Sequence, residues 1–199
     1  MTGLQTSYVI KLPLPSQKGK MTLEEALKKR ESIRDFSSKS LNEDELSQLL
    51  WAAQGTTRNW GGRTAPSAGA LFPLEIYVVL KEGVFHYASK DHHLLRIADQ
   101  DRRNALASAA LGQDCVREAP SVIVITAVYE RLARKYGTRA ERYAKMEAGH
   151  AGQNLLLQAA SLGLGAVPVG AFDDERVHRV LNLPEKHAPL YLIPLGHKR

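Results

Sequence analysis

Residues 121–128, SVIVITAV, constrain the fold more than any other stretch. The run is almost wholly apolar and β-branched, and its length suits a strand better than a helix. No polar residue alternates along it, so neither face is offered to water. It reads as a central strand. Leu74–Leu80 (LEIYVVL) reads as a second buried strand, which Lys81-Glu82-Gly83 turns into a partner, VFHYA, as a hairpin. A short strand over Ala166–Val169 and a last one over Pro189–Leu195 follow.

Helix-start signals lie between these strands. Thr22-Leu-Glu-Glu25 has the spacing of a capping box and predicts a short helix to about Arg30. Asn42-Glu-Asp-Glu45 repeats it with Asn as cap. Leu46, Leu49, Leu50 and Ala53 then mark one apolar face, and Gly55 ends the helix. Residues 101–116 have helical character. Thr138-Arg-Ala-Glu141 forms a third box, opening the longest helix, to about Leu162. Its stretch Met146–Ala160 is apolar on more than one face, which places the helix in a core or at a subunit interface. Gln153 and Asn154 lie on it. Asp173-Asp174 caps a helix to Leu181. Strands and helices mix without strict βαβ alternation, so the fold class is α+β. Residues 1–20 lack periodicity and read as an N-terminal arm, leaving 21–199 as one domain.

Composition excludes several classes. No apolar run reaches the ~18 residues of a membrane span. The first residues, MTGLQTSYVIKLPLP, lack the build of a secretory signal, so a cytoplasmic protein is expected. Cys115 is the single cysteine, which removes internal disulfides and cysteine-based zinc sites. Only His92 and His93 of the histidines are adjacent, and neighbours in sequence point apart, so no metal site is expected. The net charge of +6 permits nucleic acid or an anionic ligand, but aromatics are only 7% and none interleave with the basic residues. That pattern is not a nucleic-acid stacking platform. Neither a Gly-x-Ser-x-Gly nucleophile motif nor a phosphate-binding Gly fingerprint is present.

Three segments could carry chemistry. In RESIRDF (30–36), an extended backbone would set Arg30, Ser32 and Arg34 on one face, two guanidinium forks around a hydroxyl, suited to a phosphate. A solvated basic loop is the alternative. Pro66-Ser67-Ala68-Gly69-Ala70 would let a ligand approach the backbone closely, or simply make a tight turn. Gly163-Leu-Gly-Ala-Val-Pro-Val-Gly170 could offer backbone N–H groups to a flat ligand, or turn into a strand.

Taken in order with L-L-W-A-A-Q-G (49–55), R-T-A-P-S-A-G-A-L-F-P-L-E (63–75), K-Y-G-T-R-A-E-R-Y (135–143) and G-H-A-G-Q-N-L (149–155), these segments resemble the FMN-dependent nitroreductase family, over roughly residues 20–199. Within it the chain looks most like the SagB-type, thiazole/oxazole-forming dehydrogenases. The resemblance implies a nitroreductase-like fold with a mostly antiparallel mixed sheet flanked by helices. It also implies an intertwined homodimer with FMN between subunits and two-electron hydride transfer through flavin N5.

Carried over by position, Arg30, Ser32 and Arg34 would contact the FMN phosphate and ring edge, with Glu31 where the family often has Arg or His. Pro66, Ser67, Ala68 and Gly69 match the loop along the isoalloxazine of the partner subunit, and Ala70 replaces a common flavin-binding Asn. Pro168, Val169 and Gly170 match the segment whose backbone N–H groups face N5 and O4. Lys198 and Arg199 match a basic C-terminal end that reaches the phosphate. Lys135 and Tyr136 resemble the Lys-Tyr pair of azoline-oxidising members, where a Lys of lowered pKa would act as base; the alternative is a solvated basic loop.

The expected activity is an FMN-dependent oxidoreductase with NAD(P)H or another small-molecule donor and a small-molecule acceptor. Azoline dehydrogenation in peptide tailoring is a second expectation. A phosphate- or nucleic-acid-binding protein without chemistry is a third.

Overall fold

The computed structural model describes residues 8–199. Residues 1–7, which open both the expected arm and the segment read for a secretory signal, lie outside the described residues. Seven strands form one sheet: β1 (Val9–Lys11), β2 (Leu74–Leu80), β3 (Gly83–Ala88), β4 (His93–Ala98), β5 (Ser121–Ala127), β6 (Leu164–Ala166) and β7 (Ala188–His197). Their order is β1-β4-β3-β2-β5-β7-β6, and each neighbouring pair of these strands is antiparallel. Seven α-helices surround it: α1 (Leu23–Lys29), α2 (Glu43–Gln54), α3 (Arg103–Ala109), α4 (Asp114–Glu118), α5 (Glu130–Tyr136), α6 (Ala140–Ser161) and α7 (Asp174–Leu181).

The strand period of two sorts the side chains into two cores. Ile76, Val78, Ile123 and Ile125 face α2 and α6, meeting Leu49, Leu50, Ala148 and Leu155. Tyr77, Val79, Val122 and Val124 face α3, α4 and α7, meeting Leu106, Val116, Val177 and Leu181. Strand β5 is buried along its whole length, as a run without polar alternation requires.

The capping boxes at Thr22 and Asn42 both form, each cap accepting from the backbone three residues on and each Glu reaching back. The third, at Thr138, does not. Residues 130–136 are themselves helical, and the chain passes through a 3₁₀ turn, Gly137–Arg139, straight into α6. The cap is Arg139, whose backbone is already helical, whereas a capping side chain needs an extended one. The helical stretch 101–116 is two helices, α3 and α4, separated where Leu111 and Gly112 take positive φ.

The strand expected over Ala166–Val169 stops at Ala166, and Val169 rejoins β7 only through an isolated bridge to Leu192. Gly55 does end α2, though not by a left-handed backbone: its φ is −64°, and a Cβ there would lie 2.2 Å from Trp51 Cδ1. Strands β1 and β4 were not foreseen. Among the described residues no helix is long and apolar enough to cross a membrane, and no cluster of His, Cys, Asp and Glu could hold a metal.

Candidate active site

The segment 30–36 is extended and is stitched to the sheet's edge. Ser32 bridges Ala166 in parallel, and the Ile33 N–H donates to Ala166 O at 3.0 Å. Phe36 bridges Lys198, and the Ser37 N–H donates to His197 O at 2.9 Å. Ile33 packs against the core and Phe36 is buried, while Ser32 and Arg34 stay exposed and Arg30 half-buried. The seam is tight because residue 165 is glycine: a Cβ there would lie 2.6 Å from Ile33 Cγ2 and 2.8 Å from its Cβ.

The C-terminal cations join this strand, but not as free charges. Lys198 stands 3.7 Å from Glu31, and Arg199 stands 2.9 Å from Asp35 and 3.9 Å from Glu118. Exposed pairs of this kind hold weakly, by ~0–1 kcal/mol, so an anion of higher charge can compete for them.

Beyond β6 the backbone donors divide sharply. Pro168 has no N–H. Val169 spends its own on Leu192 O at 2.8 Å and accepts from the Leu192 N–H at 3.0 Å. Of the three residues expected to present donors, Gly170 alone keeps an N–H without a backbone acceptor among the described residues, and it is exposed.

A second group forms around residues 63–72. The Ala70 N–H donates to Ser67 O, and the Phe72 N–H to Ser67 Oγ at 2.9 Å. Gly69, Ala70 and Phe72 all take positive φ, a run in which two non-glycine residues are held in a strained region. The loop is clamped from behind. Arg63 lies over the Phe72 ring at 4.9 Å and donates to Gln54 Oε1 at 2.9 Å. Arg131 on α5 donates to Phe72 O at 2.9 Å and pairs with Glu75, which also bonds His86 at 2.6 Å. Burial pushes the Glu75 carboxyl up, but the His86 and Arg131 hydrogen bonds outweigh it and hold it down at about 2.

The same loop meets α5. A Cβ on Gly69 would lie 2.7 Å from the Tyr136 hydroxyl and 3.1 Å from Lys135 Nζ. Two motifs separated by 66 residues in sequence are therefore in contact, and a side chain at residue 69 would have to displace the ends of both. Tyr136 packs edge-on against Tyr143 at 5.1 Å. Lys135 is exposed. Asn154 satisfies its amide on Thr64 O at 3.4 Å, while Gln153 stays exposed. Arg63, Glu75, Arg131 and Glu147 were not picked out from the sequence; the one signal for Glu147 was an acid amid the small and apolar residues of α6.

The two groups stand apart within one chain. Strands β6 and β2, which carry them, are separated by β5 and β7, so three strand spacings of ~4.8 Å put about 14 Å between them. The first group offers cations and a free backbone donor along a sheet edge. The second offers a strained, small-residue platform with a Lys and a Tyr beside it.

Residues 27–197 match the sequence pattern that defines the nitroreductase family. MJ1384 of Methanocaldococcus jannaschii, named as a nitroreductase, is 47% identical over 182 residues, covering 88% of this chain and 91% of that protein. A crystal structure named as a nitroreductase from Ralstonia eutropha superposes with a TM-score of 0.88 at 34% identity, covering 98% of this chain and 92% of the other. The NADPH:FMN oxidoreductase of Vibrio harveyi, solved with NAD+, superposes with a TM-score of 0.68 at 25% identity, covering 88% of this chain and 68% of the other.

Proposed function

We propose, on the premise that this chain belongs to the nitroreductase family, that it is an FMN-dependent oxidoreductase working as a homodimer with NAD(P)H as electron donor. The observation that carries the reading is the Arg30, Ser32, Arg34 strand, held against Ala166 with the free Gly170 N–H beyond it. When bound, FMN would accept and pass on a hydride at N5.

The chain's own residues supply binding and orientation. Arg30 and Arg34, with Ser32 between them, fork onto a phosphate, and Lys198 and Arg199 reinforce them on leaving their carboxylate partners. The Gly170 N–H, rather than that of Val169, is the donor available to a ring edge. The Pro66–Ala70 loop, whose small side chains leave its backbone accessible, lies along the ring face and keeps water from it. We assign the loop over one flavin to the second copy; within one chain about 14 Å of sheet lies between this loop and the cation strand. The surface of α6 agrees with such a pairing: Met146, Gly149, His150 and Gln153 form one exposed stripe at helical spacing. Beside it opens a cleft of about 810 Å³ lined by Trp51, Leu157 and Leu162.

The test is titration of the purified protein with FMN. Arg30→Ala and Arg34→Ala each remove a charge-assisted contact of ~1.5–3 kcal/mol, so affinity falls roughly ten- to a hundredfold. A protein that refuses FMN, or variants with unchanged Kd, overturns the reading. Sedimentation gives the oligomeric state, and a monomer at FMN saturation overturns the shared site.

A second reading is azoline dehydrogenation of the SagB type. It is favoured by the contact of Lys135 and Tyr136 with Gly69, which puts a candidate base beside the loop. In that reaction Lys135 would take the Cα proton, and a bound flavin would supply the acceptor for the hydride.

A further inference from the structure

Glu147 is a carboxylate on α6 that is only 2% exposed, and among the described residues neither of its oxygens has a hydrogen-bond partner. The Ser67 hydroxyl, the Arg63 guanidinium and the Gln54 amide are the groups that act on its charge. Gln54 Nε2 is likewise buried and unpartnered among the described residues, while Gln54 Oε1 accepts from Arg63. Ser67 Oγ accepts from the Phe72 N–H, which leaves its own hydrogen free to donate. An unsatisfied acid therefore faces two unused donors, one of them on the loop that covers Gly69. Unpaired buried polar groups are rare and costly, so their meeting here calls for a cause.

We propose that Glu147 is a positioning residue whose proton gates the Pro66–Phe72 loop. With the proton on, the side chain is a neutral filler under the loop. With the proton off, a buried charge that the Ser67 hydroxyl and the Gln54 amide only partly compensate favours an opened loop that lets water reach it. The gating needs no ligand; its effect on flavin affinity rests on the function proposed above.

The electrostatics set the gate near neutral pH. Burial pushes the Glu147 carboxyl up to about 7, and the Ser67 hydroxyl, the Arg63 charge and the Gln54 amide recover only part of that cost. Arg63 is the charged group that faces it, and behind Arg63 stand Glu75, Arg131 and Tyr87. The same carboxyl is one helical turn from Tyr143, the ring against which Tyr136 packs. The loop, the Lys-Tyr pair and the buried acid thus share one packed unit.

The experiment is amide exchange of Ala70 and Phe72, corrected for intrinsic rates, between pH 5.5 and 8.5, together with carbon-13 carboxyl NMR of the full chain. A carboxyl titrating near pH 7 is expected in the wild type and absent from Glu147→Gln. Protection of the two amides should fall at least about fivefold across that titration, because a carboxyl held above its ordinary pKa in the closed loop favours opening once it ionises. It should be flat with pH in Glu147→Gln and partly restored in Glu147→Asp. Wild-type NMR needs no substitution, so it decides the matter even if a variant misfolds. A Glu147 that titrates below pH 5, or identical protection profiles for wild type and Glu147→Gln, overturns the proposal. FMN titration over the same range separates the two readings. Protection that switches while FMN affinity does not upholds the gate and refutes the loop's place over the flavin.

Discussion

Gly165→Ala tests whether the cation strand is held by backbone proximity. The new Cβ would stand 2.6 Å from Ile33 Cγ2 and 2.8 Å from Ile33 Cβ, where carbon atoms pack at ~3.5–4.0 Å. The two backbones must separate by about 1 Å. The Ile33 N–H to Ala166 O bond, now 3.0 Å, would then stretch to ~4 Å and cease to count as a bond. Losing it costs ~1 kcal/mol, and overpacking adds ~1–3 kcal/mol. The sum, about 2–4 kcal/mol, corresponds to a rise of roughly 30- to 800-fold in opening of the seam, at 1.4 kcal/mol per decade.

Native-state hydrogen exchange reads this directly. The Ile33 and Ser37 amides should lose protection by at least about 30-fold. Amides of the β2–β5 ladder should change less, because that ladder lies two strands away. Affinity for FMN should fall in step with the Ile33 amide. Adding Ile33→Ala relieves the variant only in part, since the residue-33 Cβ at 2.8 Å remains. An unchanged Ile33 amide in Gly165→Ala would refute the argument, as would full rescue by Ile33→Ala.

The remaining expectations concern the second group. Glu75 has a depressed pKa of about 2 against 4.5 for the unfolded carboxyl. Its ionised form is therefore favoured in the fold: the stabilisation is complete above pH 4.5 and is lost as pH falls toward 2. The difference of ~2.5 pH units is worth up to about 3 kcal/mol for this largely buried side chain. Glu75→Gln should lie below wild type by that order in urea unfolding at pH 7, with the gap shrinking by pH 3; an equal gap at both pH values would contradict the assignment. Lys135→Ala should abolish azoline oxidation and spare NAD(P)H-dependent reduction if the second reading holds, whereas parallel loss or parallel survival of both activities rejects Lys135 as the base.

The local signals read well because their partners are near in sequence. Thr22 with Glu25 and Asn42 with Glu45 close within one turn, so their capping boxes needed nothing else from the fold. Thr138 with Glu141 has the same spacing and fails, because α5 arrives with a helical backbone where the cap required an extended one. Strand β4 escaped notice because it alternates poorly: His93, Arg96 and Ala98 interrupt its pattern, and hydrogen bonding to β1 and β3 supplies what local preference does not.

Residue types and their short-range spacing were enough to establish the α+β class, the central strand at 121–127 and the alternation of Arg30, Ser32 and Arg34. Each of these depends on backbone period or on contacts a few residues away. Tertiary structure alone decided that Val169 has spent its N–H on Leu192 while Gly170 has not, that Gly165 is required by Ile33, and that Lys135 and Tyr136 reach Gly69. It also decided that Glu147 is buried without a partner. A donor's freedom, a carboxyl's proton affinity and the room for a Cβ are all set by atoms that the chain brings from far away, so no window of sequence contains them.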